Sequence, residues 1–360
     1  MIRPFDWRDL ALLHRMREQG VPLDSQQAYT RGINTFQIGL MEVIAPGHQG
    51  CILVAPPGKG GGSPAIGQVL HRTGEPLAQL GFIGPAETAE AANCMQLLDA
   101  LSHDVGRRGA FALIAEVDEA SPIFESLRRA GFAIYARQRV WLQEQGPIPS
   151  PAPSNQFWQQ EQEEHQAAVR VLYANLVPGL VQQVEQAPHL DHADLVHCKE
   201  GDLQAYLDVE KGPRGLWIQP YIHPAVDDIQ GLLGEALQCF RAGSSQPLYF
   251  SVRSYQGWIG HALERLGLQA VADQAVMVKR LAARQPRAVS APIPAVDGTR
   301  AEPTIPFAAT RHPSQQQTSP LDGPTEWGPS PPAPNSSDCA ASFRLKIVTA
   351  LWKSHFLWHN

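Results

Sequence analysis

The densest set of metal-ligating side chains in the sequence is His189, His192, His197 and Cys198. A zinc ion would need three or four of them converging at about 2 Å. Pro188 to Asp191 reads as a turn, and His197 and Cys198 are strand neighbours that point to opposite faces, so no metal site is expected. The stretch Pro57-Gly-Lys-Gly-Gly-Gly-Ser63 has the glycines and lysine of a phosphate cradle. It lacks the GxxxxGK[ST] spacing and joins two strands instead of a strand and a helix, so it reads as a hairpin loop. Trp217, Tyr221, Tyr249, Tyr255 and Trp258 either line a pocket for an apolar or aromatic ligand or pack a core. Cys51, Cys94, Cys198, Cys239 and Cys339 are far apart with no CxxC. They suit small buried hydrophobes in a reducing compartment. The Gln and Glu run of Gln159 to His165 reads as a solvated helix face.

The elements that must position any of these groups follow from length and proline content. A chain of 360 residues suggests two domains or slightly more. It is 43% hydrophobic and 18% charged, which supports a sizeable core. A net charge of −6 offers no basic field for nucleic acid or an anionic membrane. Charges in Met1 to Asp9 stand where a signal peptide needs an apolar run, and no long apolar stretch follows, so a cytoplasmic setting is expected. The 31 prolines concentrate in two places. Residues 145–154 alternate proline with small residues and form a stiff linker. Residues 283–360, rich in Pro, Ser and Gln, carry little periodicity and are expected to be disordered. Within that tail, Phe343 to Trp358 turns apolar, either as a partner-binding amphipathic segment or as a tail without selected structure.

The two blocks that remain, 1–144 and 155–282, repeat one grammar. Phe111 to Val117 reads as a buried strand, Ser121 to Ala130 as a helix, Gly131 as its stop and Ala133 to Leu142 as a closing strand. In the second block Pro247 to Val252, Gly257 to Leu266, Gly267 and Gln269 to Val278 follow the same order. A preceding helix places Leu97, Leu98 and Leu101 in the first copy and Leu232, Leu233 and Leu237 in the second. Three short strands lie ahead of each helix: Cys51 to Ala55, Ile66 to Leu70 and Leu77 to Ile83, then Asp194 to Cys198, Leu203 to Val209 and Leu216 to Ile222. Two helices open each copy, Leu10 to Arg17 with Gln26 to Gly32, and Gln162 to Val177 with Leu180 to Gln186.

This order resembles the GNAT N-acetyltransferase superfamily in tandem. The resemblance rests on Ile2-Arg-Pro-Phe-Asp-Trp-Arg-Asp9, on Leu127-Arg-Arg-Ala-Gly-Phe132 with its counterpart Leu263-Glu-Arg-Leu-Gly-Leu268, and on the strand ends Ile83-Gly-Pro85 and Ile222-His-Pro224. It covers about residues 1 to 282. It implies an α+β fold of two tandem GNAT-like domains, each a mostly antiparallel twisted sheet flanked by helices, which together could form an intramolecular pseudo-dimer.

The family transfers an acyl group from acetyl-CoA to an amine, here on a small-molecule or peptide acceptor. Its pyrophosphate loop, held by backbone N–H groups at a helix N-terminus, is degenerate in both copies. Pro85 to Met95 has no glycine and carries Glu87 and Glu90; Pro224 to Gly231 carries Asp227 and Asp228 and keeps only Gly231. Leu127 and Leu263 stand where the family often has a tyrosine acid. Ala120 and Gln256 stand where it often has asparagine. The resemblance makes domain 2 the better candidate site, with Tyr221, Ile222, His223, Gly231 and Gln256 toward acetyl-CoA and His223 or Glu116 as base. The alternative is a non-catalytic tandem protein that has lost CoA chemistry and serves as a binding module or scaffold.

Overall fold

The computed structural model describes residues 2–32, 50–57, 63–72, 74–88, 92–144, 158–160, 163–188, 194–243 and 245–281. The chain divides into a compact unit, residues 1–283, and residues 284–360. The linker at 145–154, the tail, most of the Pro57 to Ser63 loop, Glu90, His189 and His192 lie outside the described residues.

In the first repeat a short strand β1 (Arg3–Pro4) precedes helix α1 (Leu10–Gln19), strand β2 (Val21–Pro22) and helix α2 (Ser25–Thr30). Three strands follow, β3 (Gly50–Ala55), β4 (Ala65–Leu70) and β5 (Leu77–Gly84), and then α3 (Ala92–Arg107), β6 (Ala112–Asp118), α4 (Pro122–Arg129) and β7 (Ala133–Gln143). The second repeat runs β8 (Gln159–Gln160), α5 (Gln166–Leu176), α6 (Gly179–Gln182), β9 (Leu195–Lys199), β10 (Asp202–Lys211), β11 (Leu216–Ile222), α7 (Ile229–Gly243), β12 (Leu248–Arg253), α8 (Gly257–Arg265) and β13 (Gln269–Arg280). The repeated order expected from the sequence is present. The short strands β1, β2 and β8 are additions, and α6 stops at Gln182, short of the expected Gln186.

Local chemistry explains the boundaries. Asp24 caps α2 by accepting the Gln27 N–H at 2.9 Å, which satisfies one of the free donors of a helix start. Both helix-ending glycines are left-handed, Gly131 at φ 90° and Gly267 at φ 84°. Beyond each, the next N–H reaches back to the helix, Phe132 to the Leu127 carbonyl and Leu268 to the Leu263 carbonyl, both at 3.0 Å. The two copies therefore terminate with the same C-cap, which glycine adopts without a Cβ penalty.

The thirteen strands among the described residues form one sheet, ordered β1-β3-β4-β5-β6-β13-β7-β12-β11-β10-β9-β8, with β2 on β5. Of the described pairs, only β5 with β6 and β11 with β12 run parallel. The closing strands are exchanged between the repeats. β13 lies antiparallel to β6 from Gln274 opposite Asp118 to Arg280 opposite Ala112. β7 lies antiparallel to β12 from Leu248 opposite Gln143 to Arg253 opposite Gln138. The two exchanged strands pair with each other at the centre. Neither 1–144 nor 155–282 thus holds every strand of its own half of the sheet.

The core follows this exchange. On one face Leu97, Leu98 and Leu101 of α3 and Leu127 of α4 pack with Leu80, Leu113 and Val117, and also with Ala275 and Met277 of β13. On the other, Val169, Leu172 and Tyr173 of α5 pack on Tyr206 and Tyr221 and on Ile114, Tyr135, Val276 and Val278. Helix α1 covers Ile52, Val54, Ile66 and Phe82 on β3 to β5. Among the described residues no helix is long and apolar enough to cross a membrane.

Candidate functional site

Each half of the sheet contains one place where two parallel strands begin together and part. β5 and β6 pair from Leu77 opposite Ala112 to Gln79 opposite Ile114; β11 and β12 pair from Leu216 opposite Leu248 to Ile218 opposite Phe250. Beyond those pairs the facing backbone edges are free to bond whatever lies in the wedge, and a linear arm carrying amides would find its partners there.

The first wedge is filled by the chain itself. Val21 pairs with Ile83 and Pro22 with Phe82. The Leu23 N–H donates to the Gly81 carbonyl at 2.9 Å, and the Leu23 carbonyl accepts from the Glu116 N–H at 2.9 Å and from Gln79 Nε2 at 3.1 Å. Leu23 is fully buried. The segment therefore bridges both strands and takes the backbone bonds that an inserted ligand would need. Glu116, a candidate base, points its carboxylate at the same segment, accepting the Ser25 N–H at 2.9 Å. Beside it, burial together with the Glu116 charge pushes the Asp24 carboxyl up to about 7, as desolvation and a like charge both disfavour the anion.

The second wedge is closed by one side chain. Gln256 is fully buried; its Nε2 donates to the Pro220 carbonyl at 3.0 Å and its Oε1 accepts the Ile222 N–H at 3.4 Å. Both ends of the amide are spent on β11. Tyr221 is buried, stacks on Tyr206 with centroids 5.9 Å apart, and its hydroxyl accepts from Gln219 Nε2 at 2.8 Å. His223 sits beyond the strand: its N–H bonds the Gln204 carbonyl at 2.9 Å, and its Nδ1 accepts the Ala225 N–H at 3.2 Å. That ring nitrogen shapes a turn. Gly231 donates its N–H to Asp228 Oδ1 at 2.8 Å, so an aspartate occupies the donor a phosphate would take at the start of α7. Lys199 is paired with Asp227 at 3.0 Å.

Of the remaining candidates, Trp217 and Tyr249 stack on Tyr29 of α2, with centroids 5.9 Å and 4.5 Å apart. They seat a helix of the first repeat on the second half of the sheet. Among the described residues no group of three His, Cys, Asp or Glu could hold a metal ion. His197 is buried and lies edge-on to Trp158.

Two arrangements escape the sequence altogether. The first is a buried chain of amides and hydroxyls along the exchanged strands. Ser25 Oγ donates to Gln274 Oε1 at 2.8 Å, Gln138 Nε2 to the same oxygen at 2.9 Å, and Ser251 Oγ to Gln138 Oε1 at 3.0 Å. It joins the first wedge to β12. The second is an ion pair under α5 and α6. Glu185 Oε1 accepts from Arg253 Nη2 and from the Tyr135 hydroxyl, each at 2.6 Å, and the Glu185 carbonyl accepts from the Tyr173 hydroxyl at 3.0 Å. Burial alone would lower the Arg253 pKa, but the Glu185 charge outweighs it and holds the guanidinium protonated. Burial and then Glu185 raise the Tyr135 hydroxyl and push Tyr173 up to about 12. Both tyrosines stay neutral donors. Arg253 Nε and Nη1, buried, have no hydrogen-bond partner among the described residues.

The pantetheine arm of an acetyl-CoA molecule would have to displace Val21 to Leu23 in one wedge or Gln256 in the other, and Asp228 already takes the Gly231 N–H at the start of α7. No protein-family model matches the sequence, and no curated protein matches it. Solved structures do share its fold. A GCN5-related N-acetyltransferase from Sphaerobacter thermophilus superposes with a TM-score of 0.53 at 14% identity, covering 78% of this chain and 95% of that one. A GCN5-related N-acetyltransferase from Kribbella flavida gives 0.43 at 15% identity, over 60% of this chain and 86% of its own. A tandem GNAT protein from the clavulanic acid biosynthesis pathway gives 0.45 at 13% identity, over 78% and 98%. The architecture is that of the GNAT N-acetyltransferases, and identities this low speak for fold alone.

Proposed function

We propose that this chain uses the N-acetyltransferase fold as a non-catalytic binding module. The observation that carries this reading is that its own groups occupy both wedges: Leu23 bonded to Gly81 and Glu116, and Gln256 bonded to Pro220 and Ile222. Catalysis by acyl transfer needs the acyl donor held within reacting distance of the amine. A donor arm with no free strand edge is not held. Titration calorimetry of the whole chain with acetyl-CoA tests this. No saturable heat is expected up to about 1 mM, a threshold weaker than ordinary cofactor affinities. Saturable binding tighter than that refutes the reading.

A second reading is favoured by one asymmetry. The first wedge is blocked by backbone, but the second is blocked only by the Gln256 side chain, which a rotamer change would withdraw. Acyl transfer from acetyl-CoA to a small-molecule or peptide amine would then take place in the second half, with the β11 edge at Tyr221 to His223 aligning the donor and His223 Nε2 as the base. Calorimetry separates the two readings: saturable acetyl-CoA binding by the unaltered chain that Gln256→Ala tightens favours the second, and binding seen only with Gln256→Ala favours the first. The net charge of −6 supports a partner that is neither nucleic acid nor an anionic membrane. The free cysteines Cys51, Cys94, Cys198 and Cys239 support a cytoplasmic setting.

A further inference from the structure

We propose that a cleft formed by the strand exchange, away from both wedges, binds a small organic cation with an apolar body. The cleft has a volume of about 460 Å³ and runs between the start of β5 and β6, the end of β13 and the segment after α6. That size falls within the range of ordinary ligand sites. Its walls include Leu77, Phe111, Val184, Val278 and Leu281, with Glu185 as its carboxylate. Phe111 is 57% exposed, a ring left facing water at the rim of a concave surface.

Glu185 is the only acidic group among the polar residues lining the cleft, which also include Gln182, Gln183, Gln186 and Arg280. Gln182 spends its Nε2 on the Ala174 and Val177 carbonyls, and Gln183 accepts from Arg280 at 3.4 Å. Glu185 Oε1 takes both inner donors, Arg253 and Tyr135. Oε2 has no partner among the described residues. Arg253 is locked behind Glu185 with its side chain 6% exposed, so it orients the carboxylate without reaching the cleft. Glu185 is the one carboxylate that lines the cleft, and the exposed Arg280 at the rim is screened by solvent. An ammonium or amidinium group on Oε2, with its apolar part against Phe111, Leu77 and Leu281, satisfies both the charge and the exposed ring. The site does not depend on whether either wedge takes acyl-CoA.

The test uses the whole chain and two probes of one size, phenethylamine and 3-phenylpropanoate, followed by saturation-transfer NMR and calorimetry. Phenethylamine is expected to bind saturably below about 10 mM, and the carboxylate at least about tenfold more weakly. Phe111→Ser, at a position open enough to leave the fold intact, should weaken the amine about tenfold or more. Glu185→Gln should do the same; if it unfolds the chain, Phe111→Ser still decides. Equal binding of the two probes, an amine affinity untouched by Phe111→Ser, or no saturable amine binding in that range overturns the proposal.

Discussion

Met277→Ala tests the strand exchange directly. Met277 belongs to the second repeat by sequence, yet it is fully buried in the cluster built by α3 and α4 of the first. Truncating a buried methionine to alanine costs about 2 to 5 kcal/mol, through lost transfer energy and a residual cavity. With about 3 kcal/mol and a responsiveness of about 2 to 4 °C per kcal/mol for a chain of this size, the melting temperature should fall by about 6 to 12 °C. The location of the damage carries the argument. Hydrogen exchange read by mass spectrometry should show the largest loss of protection in peptides covering α3, β6 and α4, residues 92–129, with a smaller change over α7 and α8. Val271→Ala on the same strand is the control: Val271 is 42% exposed, and its loss should cost less than about 0.5 kcal/mol. If Met277→Ala instead deprotects residues 229–265 first, β13 packs within its own repeat and the exchange is refuted.

Separate expression of 1–144 and 155–283 should give two poorly folded fragments, because each lacks a central strand and exposes an unpaired edge. Mixing them should restore native circular dichroism, and independent cooperative melting of either fragment would contradict the exchange. Stability should depend on pH through Asp24. Its carboxyl is held at about 7, above the ordinary 3.8, so its contribution is full at low pH and is lost as pH rises through about 7. Asp24→Asn keeps a capping side chain and should flatten the melting temperature between pH 5 and 8; an unchanged slope would show that Asp24 is not the titrating group. Arg253→Met should cost about 1.5 to 3 kcal/mol by removing the charge-assisted hydrogen bond to Glu185. Adding Glu185→Met should recover part of that loss in denaturant melts, and full additivity of the two changes would argue against a direct pair.

The candidate site was less legible than the fold. Gln256 stands where the resembled family often has asparagine, and the sequence does not say that this amide bonds its own β11. Glu116 and His223 carry groups suited to chemistry; the Glu116 carboxylate accepts from the distant Ser25 N–H, and the His223 Nδ1 from the neighbouring Ala225 N–H. Val21 to Leu23, the segment that fills the first wedge, has no motif: only pairing with Ile83 and Phe82, about 60 residues away, makes it a strand. The ion pair of Glu185 with Arg253 and Tyr135 joins groups 50 and 68 residues apart, beyond the reach of any periodicity.

The sequence by itself determined the local vocabulary. Apolar spacing set α3 and α7, the left-handed glycines Gly131 and Gly267 ended two helices in the same way, and the repetition of that grammar was enough to define two copies of one fold. Each of these features rests on residues within a turn or two of one another, where covalent geometry and side-chain period dictate the outcome. The tertiary structure decided which copy of the closing strand lies against which core. β7 and β13 occupy the same place in the repeated order of elements, so order alone assigns neither strand to one core. The choice rests on packing between distant segments, Met277 against the α3 cluster and Trp141 beside α8. That choice shaped the cleft holding Glu185, and long-range pairing of the same kind put Val21 to Leu23 into the first wedge.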